Sequence, residues 1–278
     1  MSFDLEIFQY GFMQRAILSG ILVAILCSTI GFFLVQRKQS LFGDALSHMA
    51  FGGIAIGLYA NIYPLWTGLA ISISTALAIT KIRQITKFSA DATIAVLLSF
   101  GLAIGVVLIS LSGGFSIDIF SFLFGNILLV NNEETIMTLI ATIGILFVIF
   151  LFFKKFMYIT FDEDQAKSSG INVERFDYLF TVLAAITVIA AMRLAGILLI
   201  SSLIVIPNLT ALMFGKGFKK TLFLSIILSI FSVVFGIILS YFLNLSPSGV
   251  IVMISVIIFV IVLSKKYLLK IEKKQIIT

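Results

Sequence analysis

The chain has 278 residues, of which 60% are hydrophobic and 12% are charged, with a formal net charge of +6 and a mean hydropathy of +1.19. Soluble domains are closer to half apolar and a quarter charged, so this composition excludes a water-soluble enzyme and predicts lipid as the main surroundings. The basic residues lie in short clusters between apolar runs, which is typical of membrane topology and not of a nucleic-acid-binding face.

Nine apolar stretches are long enough, at about 20 residues each, to cross a bilayer as helices. They cover residues 14–35, 41–60, 62–80, 92–112, 135–153, 176–192, 194–214, 220–242 and 247–265. Because 176–214 has no clear break, we expect eight or nine spans. A shorter apolar stretch, 117–130, predicts a re-entrant or broken helix. The expected fold is an all-α polytopic bundle that forms a single domain, residues 1–278.

The basic residues also predict an orientation. All but Arg15 and Arg193 of the 19 Lys and Arg residues fall in one alternate set of loops and in the tail, about 265–278. Basic loops remain on the cytoplasmic side of a membrane. With nine spans, we therefore expect a multi-pass protein of the cell membrane with its N-terminus outside and its C-terminus in the cytoplasm.

One loop of this basic set, about 154–175, is long enough to hold structure of its own. Asp162 can cap a short helix that runs from Glu163 to Ser169, and Gly170 can end it. A charged helix outside the bilayer offers a surface to a partner protein, although a solvated connector has the same composition. The residues of this expected surface are Glu163, Asp164, Gln165, Ala166, Lys167, Ser168, Ser169 and Gly170.

Two pairs of glycines lie four residues apart within predicted spans. Gly53 and Gly57 form the first pair, and Gly101 and Gly105 form the second. Small residues at this spacing share one face of a helix and permit close packing, either within one chain or across a dimer.

The sequence carries no recognisable catalytic motif. It has no G-x-x-x-x-G-K-[ST] phosphate loop, no nucleophile elbow and no Cys/His zinc cluster. We therefore expect no enzymatic activity and no permanently bound cofactor. If ATP drives the protein, the ATPase is a separate chain.

The segment 41–57, LFGDALSHMAFGGIAIG, holds the single histidine, His48, with Asp44 four residues before it. On a helix both side chains lie on one face, a turn apart. A carboxylate and an imidazole suit Mn²⁺, Fe²⁺ or Zn²⁺, and ionisable groups inside a membrane usually face a cavity or a partner. The remaining ligands would come from water, another helix or a second copy. Alternatively, the two side chains pair with each other, or Asp44 caps its helix.

The run from Arg37 to Gly57 resembles the signature of the metal-ion ABC permeases, which import zinc, manganese or iron. Four later segments are similar to that family in order and spacing: 89–110, 116–128, 161–179 and 192–213. The resemblance implies that Asp44 and His48 contact the passing metal, and that the loop within 161–179 docks on the ATPase. It also implies a bent span at Pro207. Met49 and Asn208 depart from the family pattern.

The resemblance further implies three partners: a second permease copy, cytoplasmic ATPase subunits and an external metal-binding protein. Asp118 and Asn126 are candidates to line the pore, with capping of a broken helix as the alternative for both. A secondary transporter or channel for divalent cations, which needs no ATPase, is the competing functional interpretation.

Overall fold

The structure is a computed structural model, and it describes residues 9–85, 90–112, 125 and 127–277. The two pore-lining candidates, Asp118 and Asn126, lie outside the described residues, as does most of the predicted re-entrant stretch. At the end of that stretch, Ile127–Leu129 forms a short 3-10 turn.

The described residues contain ten α-helices. They are α1 (Gly11–Gln36), α2 (Phe42–Tyr59), α3 (Pro64–Ile85), α4 (Ala90–Leu111), α5 (Asn132–Leu151), α6 (Phe153–Phe161), α7 (Glu163–Ser168), α8 (Val173–Leu212), α9 (Phe218–Leu243) and α10 (Pro247–Ile277).

Eight helical segments within the described residues are long and apolar enough to cross a membrane. They are α1, α3, Ala92–Leu111, α5, Val173–Met192, Leu194–Leu212, α9 and Pro247–Leu268. The predicted all-α polytopic bundle is therefore confirmed. α2, which carries Asp44 and His48, was predicted as a ninth span and does not belong to these eight.

The ambiguity in 176–214 is resolved by a break inside α8. Gly196 has φ 73° and ψ 164°, a conformation that side chains strongly disfavour, so the 40-residue helix divides into two spans. Pro207 lies inside the second span. Gly125, at φ 68°, packs on the break, because a side-chain carbon there would lie 2.5 Å from the Ala195 carbonyl oxygen.

The loop predicted at 154–175 contains two helices instead of one. α6 was not predicted; it buries Phe156 and Ile159 and leaves Lys154 and Lys155 exposed. α7 confirms the predicted short helix, ending at Ser168.

The core is centred on α1, most of whose residues are buried. α1 packs against α8, α9 and α5, while α2 lies among α3, α4 and α8. This arrangement places α2 inside the bundle, surrounded by helices of the same chain on several sides.

Candidate functional site

Asp44 and His48 lie on one face of α2, near the start of the helix. Asp44 occupies the first turn, but it makes no side-chain capping hydrogen bond, so the capping alternative does not describe this residue. A carboxylate in a first turn is still favoured there by the positive end of the helix dipole. The Asp44 carboxylate also acts electrostatically on the His48 imidazole.

Each of the two side chains has a buried polar atom without a hydrogen-bond partner among the described residues. These atoms are Asp44 Oδ1 and His48 Nδ1. The two residues are nonetheless half-buried in the isolated chain, so their other atoms remain accessible. An unsatisfied buried polar atom costs about 1–3 kcal/mol. A cation bound between the two side chains would remove that cost, whereas mutual pairing would have paired these atoms already.

Within the described ranges, the pair has no third His, Cys, Asp or Glu ligand. No group of three or more His, Cys, Asp or Glu side chains able to hold a metal occurs in the part of the chain that the structure describes. Further ligands are therefore water, backbone or amide oxygens, or groups of another chain or of the residues outside the described ranges. A sparse shell of this kind suits a site that binds a passing ion and releases it.

Glycines let the neighbouring helices approach α2 closely. The contacts join Gly43 to Ile204 of α8, Gly53 to Gly68 of α3, and Gly52 to Gly101 of α4. The glycine pairs noted in the sequence therefore make contacts within one chain. An added side chain at Gly52 or Gly53 would meet main-chain atoms, and one at Gly43 would meet the Ile204 side chain, so these glycines set how close the neighbouring helices lie to α2.

A buried ionic cluster at one end of the bundle was missed by the sequence analysis. Asp177, only 3% exposed, receives Arg37 Nη1 at 2.8 Å and Arg83 Nη2 at 2.7 Å. Arg37 also donates to Thr160 Oγ1 at 3.2 Å, and its guanidinium lies 4.8 Å from the centre of the Phe180 ring. We call Arg37, Asp177 and Arg83 the ionic triad.

Burial lowers the pKa of Arg37 below its ordinary value, and the Asp177 carboxylate opposes that shift. One signal could have found the triad. Asp177 is an acidic residue at the start of an apolar span, and such residues usually have a partner. In the sequence alone, Arg83 is one of the basic loop residues that predict the orientation, and Arg37 in addition begins the run 37–57.

α7 packs beside the triad. Asp162 Oδ1 accepts from the Gln165 backbone N–H at 2.9 Å, as the sequence predicted for a cap, and Gly170 follows at φ 79°. Ala166 is fully buried against Ile159 and Val173.

The exposed face of α7 is charged. Lys167 Nζ lies 2.8 Å from Glu163 Oε1, and this hydrogen bond lowers the pKa of Glu163, with smaller contributions from Arg37 and Arg83. α7 is thus linked electrostatically to the triad.

A cavity of about 710 Å³ opens between α7 and the triad. Its lining residues are Arg37, Lys38, Gln39, Arg83, Gln84, Glu163, Lys167, Val173, Glu174 and Asp177. We call this region the basic end of the bundle. Asp44 and His48 do not line this cavity, so the metal-ligand candidates and this charged cavity are separate features.

Comparison with known proteins gives consistent matches over nearly the whole chain. Residues 9–266 match the ABC 3 transport family. The manganese transport system membrane protein MntC of Listeria innocua is 31% identical over 272 residues, covering 97% of both chains. The high-affinity zinc uptake system membrane protein ZnuB of Haemophilus influenzae is 30% identical over 251 residues, covering 90% of this chain and 96% of that one.

A solved structure matches as closely as these sequences. The chain superposes on PsaBC from Streptococcus pneumoniae in complex with Fab with a TM-score of 0.84 and 30% identity. The match covers 96% of this chain and 97% of that one.

Proposed function

The chain belongs to the ABC 3 transport family, and we propose that it is the membrane permease subunit of an ATP-driven importer of divalent transition-metal ions. The observation that carries this proposal is the pair of unpartnered buried atoms, Asp44 Oδ1 and His48 Nδ1, on one face of α2. Both can bind the same cation, and neither has another described partner.

The proposed cargo is Mn²⁺, Zn²⁺ or Fe²⁺. Mixed oxygen and nitrogen ligands accept all three ions, and the affinity order alone does not set selectivity in a cell. Relatives named for manganese and for zinc transport support the first two ions. Iron is proposed from the ligand chemistry and from the family resemblance of the run 37–57.

We assign the basic end of the bundle to the cytoplasm, because basic loops remain on that side of a membrane. With α2 counted as a ninth crossing beside the eight segments above, the N-terminus then lies outside and the C-terminus inside. Metal would pass from an external binding protein to Asp44 and His48, and from there towards the basic end. A second copy of the permease would supply part of the incomplete shell.

The proposed docking surface for the cytoplasmic ATPase subunits is α7 with its flanking residues, Glu163 to Gly170. Three features support this role: the charged face is exposed, the helix is capped at Asp162, and Ala166 fixes it to the bundle. Movement of α7 would change the distance between Glu163 and the triad across the cavity, and with it their electrostatic interaction. Because Arg37 is the first residue of the α1–α2 connection, such movement would change the position of α2.

Uptake of radioactive manganese and zinc tests the proposal. Asp44→Ala and His48→Ala should each abolish uptake, with unchanged membrane insertion and assembly. Ser110→Ala is the matched control, because Ser110 is exposed on α4 and bonds a carbonyl of its own helix, Val106 O, at 2.9 Å. Normal uptake in both site variants would overturn the metal site.

The competing interpretation, a secondary transporter or channel, uses the same two ligands. It differs in its energy source. Uptake by the complete complex should stop when ATP is depleted; uptake that continues would favour the competing interpretation.

A further inference from the structure

α4 touches α2 backbone to backbone at the turn that carries His48. A Cβ added to Gly101 would lie 2.6 Å from the carbonyl carbon and oxygen of His48 and 2.6 Å from the Met49 nitrogen. From the other side, a Cβ added to Gly52 would lie 2.8 Å from the Gly101 carbonyl oxygen. These contacts involve main-chain atoms, which cannot move aside as the end of a flexible side chain can.

The contact is specific to this point of α4. At Gly105, one turn further on, an added Cβ would meet the ring of Phe51, which is a side chain. Elsewhere α4 presents large exposed apolar residues: Val96, Phe100, Val106, Val107 and Leu111. Gly101 is therefore the α4 glycine whose added Cβ would press on the backbone of a metal-ligand candidate.

We propose that Gly101 is a positioning residue for the metal site: its missing side chain lets α4 hold the His48 turn at a fixed height and rotation. This inference rests on the proposed function of Asp44 and His48. The two ligands belong to α2 and keep their mutual spacing if α2 moves as a unit. Their distances to ligands supplied from outside α2 change when α2 moves.

The size of the displacement decides the outcome. Carbon atoms in ordinary contact lie about 3.5–4.0 Å apart, so an alanine at position 101 must push the α2 backbone away by roughly 1 Å. Metal–ligand distances hold within about 0.2 Å. A shift of this size is therefore large enough to change the coordination geometry while leaving both ligands in place.

Co²⁺ binding by the purified full-length permease in lipid nanodiscs tests this role, because Co²⁺ accepts the same ligands and its visible spectrum reports their geometry. Gly101→Ala should weaken Co²⁺ binding by about tenfold or more and shift the visible bands. Gly144→Ala is the matched control, because Gly144 also lies in a membrane helix and an added Cβ there meets nothing within 4 Å. It should bind Co²⁺ as the wild type does.

Gly52→Ala presses on the same contact from the α2 side and should shift binding in the same direction, so the test does not depend on one variant folding. Wild-type affinity and spectrum in either glycine variant, alongside lost binding in Asp44→Ala, would overturn the positioning role alone. Unchanged Co²⁺ binding in Asp44→Ala and His48→Ala would overturn the metal site itself, and the positioning role with it.

Discussion

Asp177 Oδ1 accepts a hydrogen bond from Arg37 Nη1 at 2.8 Å, and the two residues lie 140 positions apart in the sequence. The second carboxylate oxygen engages Arg83, so one side chain joins the start of α8 to the ends of α1 and α3. Since the α1–α2 connection begins at Arg37, this ion pair links the metal-site helix to the end of the bundle where α7 packs.

Asp177→Asn should destabilise the permease strongly. The substitution leaves the Arg37 guanidinium buried without a counter-charge, and breaking a buried pair in this way costs about 3–5 kcal/mol. We expect a lower thermal unfolding midpoint in nanodiscs and reduced ATP-driven metal uptake. Lys167→Gln is the control, because it removes the exposed Glu163–Lys167 pair, and exposed pairs contribute about 0–1 kcal/mol. Equal midpoints in the two variants would contradict a structural role for the triad.

Ala166→Asp should separate ATP hydrolysis from transport. Ala166 is fully buried against Ile159 and Val173, so a carboxylate there forces α7 off the bundle. Hydrolysis by the assembled complex should continue while metal uptake falls. Gly217→Asp adds the same charge at an exposed position outside α7, where an added Cβ meets nothing within 4 Å, and should leave both activities unchanged. Full uptake in Ala166→Asp would show that α7 does not transmit movement.

The Glu163 carboxylate should stay ionised at pH values below the ordinary glutamate pKa, which is about 4.3. The hydrogen bond from Lys167 lowers the pKa of Glu163. A lowered carboxyl pKa stabilises the folded state at pH values above the ordinary pKa, and that stabilisation is lost as the pH falls through the lowered value. A carboxyl NMR titration should place the Glu163 midpoint below the ordinary value, and Lys167→Gln should raise it. A titration midpoint of Glu163 that does not change in Lys167→Gln would show that Arg37 and Arg83, and not Lys167, lower its pKa.

Local signals explain which features the sequence predicts well. The apolar runs predict the spans because the hydropathy of a membrane helix is a property of its own residues. The cap at Asp162 and the glycine at position 170 predict the bounds of α7 within one residue. The Asp44–His48 pair is visible because its spacing matches one helical turn. α6 is not predicted because lysines interrupt its three phenylalanines and its isoleucine. Its apolar face becomes evident only where Phe156 packs on Phe176 of α8.

Tertiary partners explain what the sequence does not predict. A glycine can adopt a helical or a left-handed backbone conformation, so the residues around Gly196 do not show that this glycine breaks the helix. The proline at position 207 predicts the bend there instead. Likewise, Asp177 meets Arg37 and Arg83 only through the arrangement of α1, α3 and α8. The contact of Gly101 with His48 has the same origin, since G-x-x-x-G spacing indicates a packing face without naming its partner.

Asn208, a departure from the family pattern, lies in a buried polar network. Its Oδ1 accepts from Ser225, whose hydroxyl also bonds Ser28 at 2.6 Å, and its Nδ2 donates to the Ile204 carbonyl oxygen at 2.7 Å. Through these bonds the second span of α8 is joined to α9 and, through Ser225, to α1. Membrane helices gain specificity from such interhelical hydrogen bonds.

Asn208→Ala and Ser225→Ala should each destabilise the permease by about 1–3 kcal/mol, because each leaves a buried partner unsatisfied. The double variant should lose less than the sum of the two, since both substitutions remove the same hydrogen bond, with a coupling of about 0.5–3 kcal/mol. Denaturant unfolding in detergent measures this cycle. Asn208→Ala combined with Ser255→Ala is the matched control, because Ser255 bonds a carbonyl of its own helix, Ile251 O, at 3.0 Å. Those two losses should add; additive losses for Asn208 and Ser225 as well would mean that the network does not join α8 to α9.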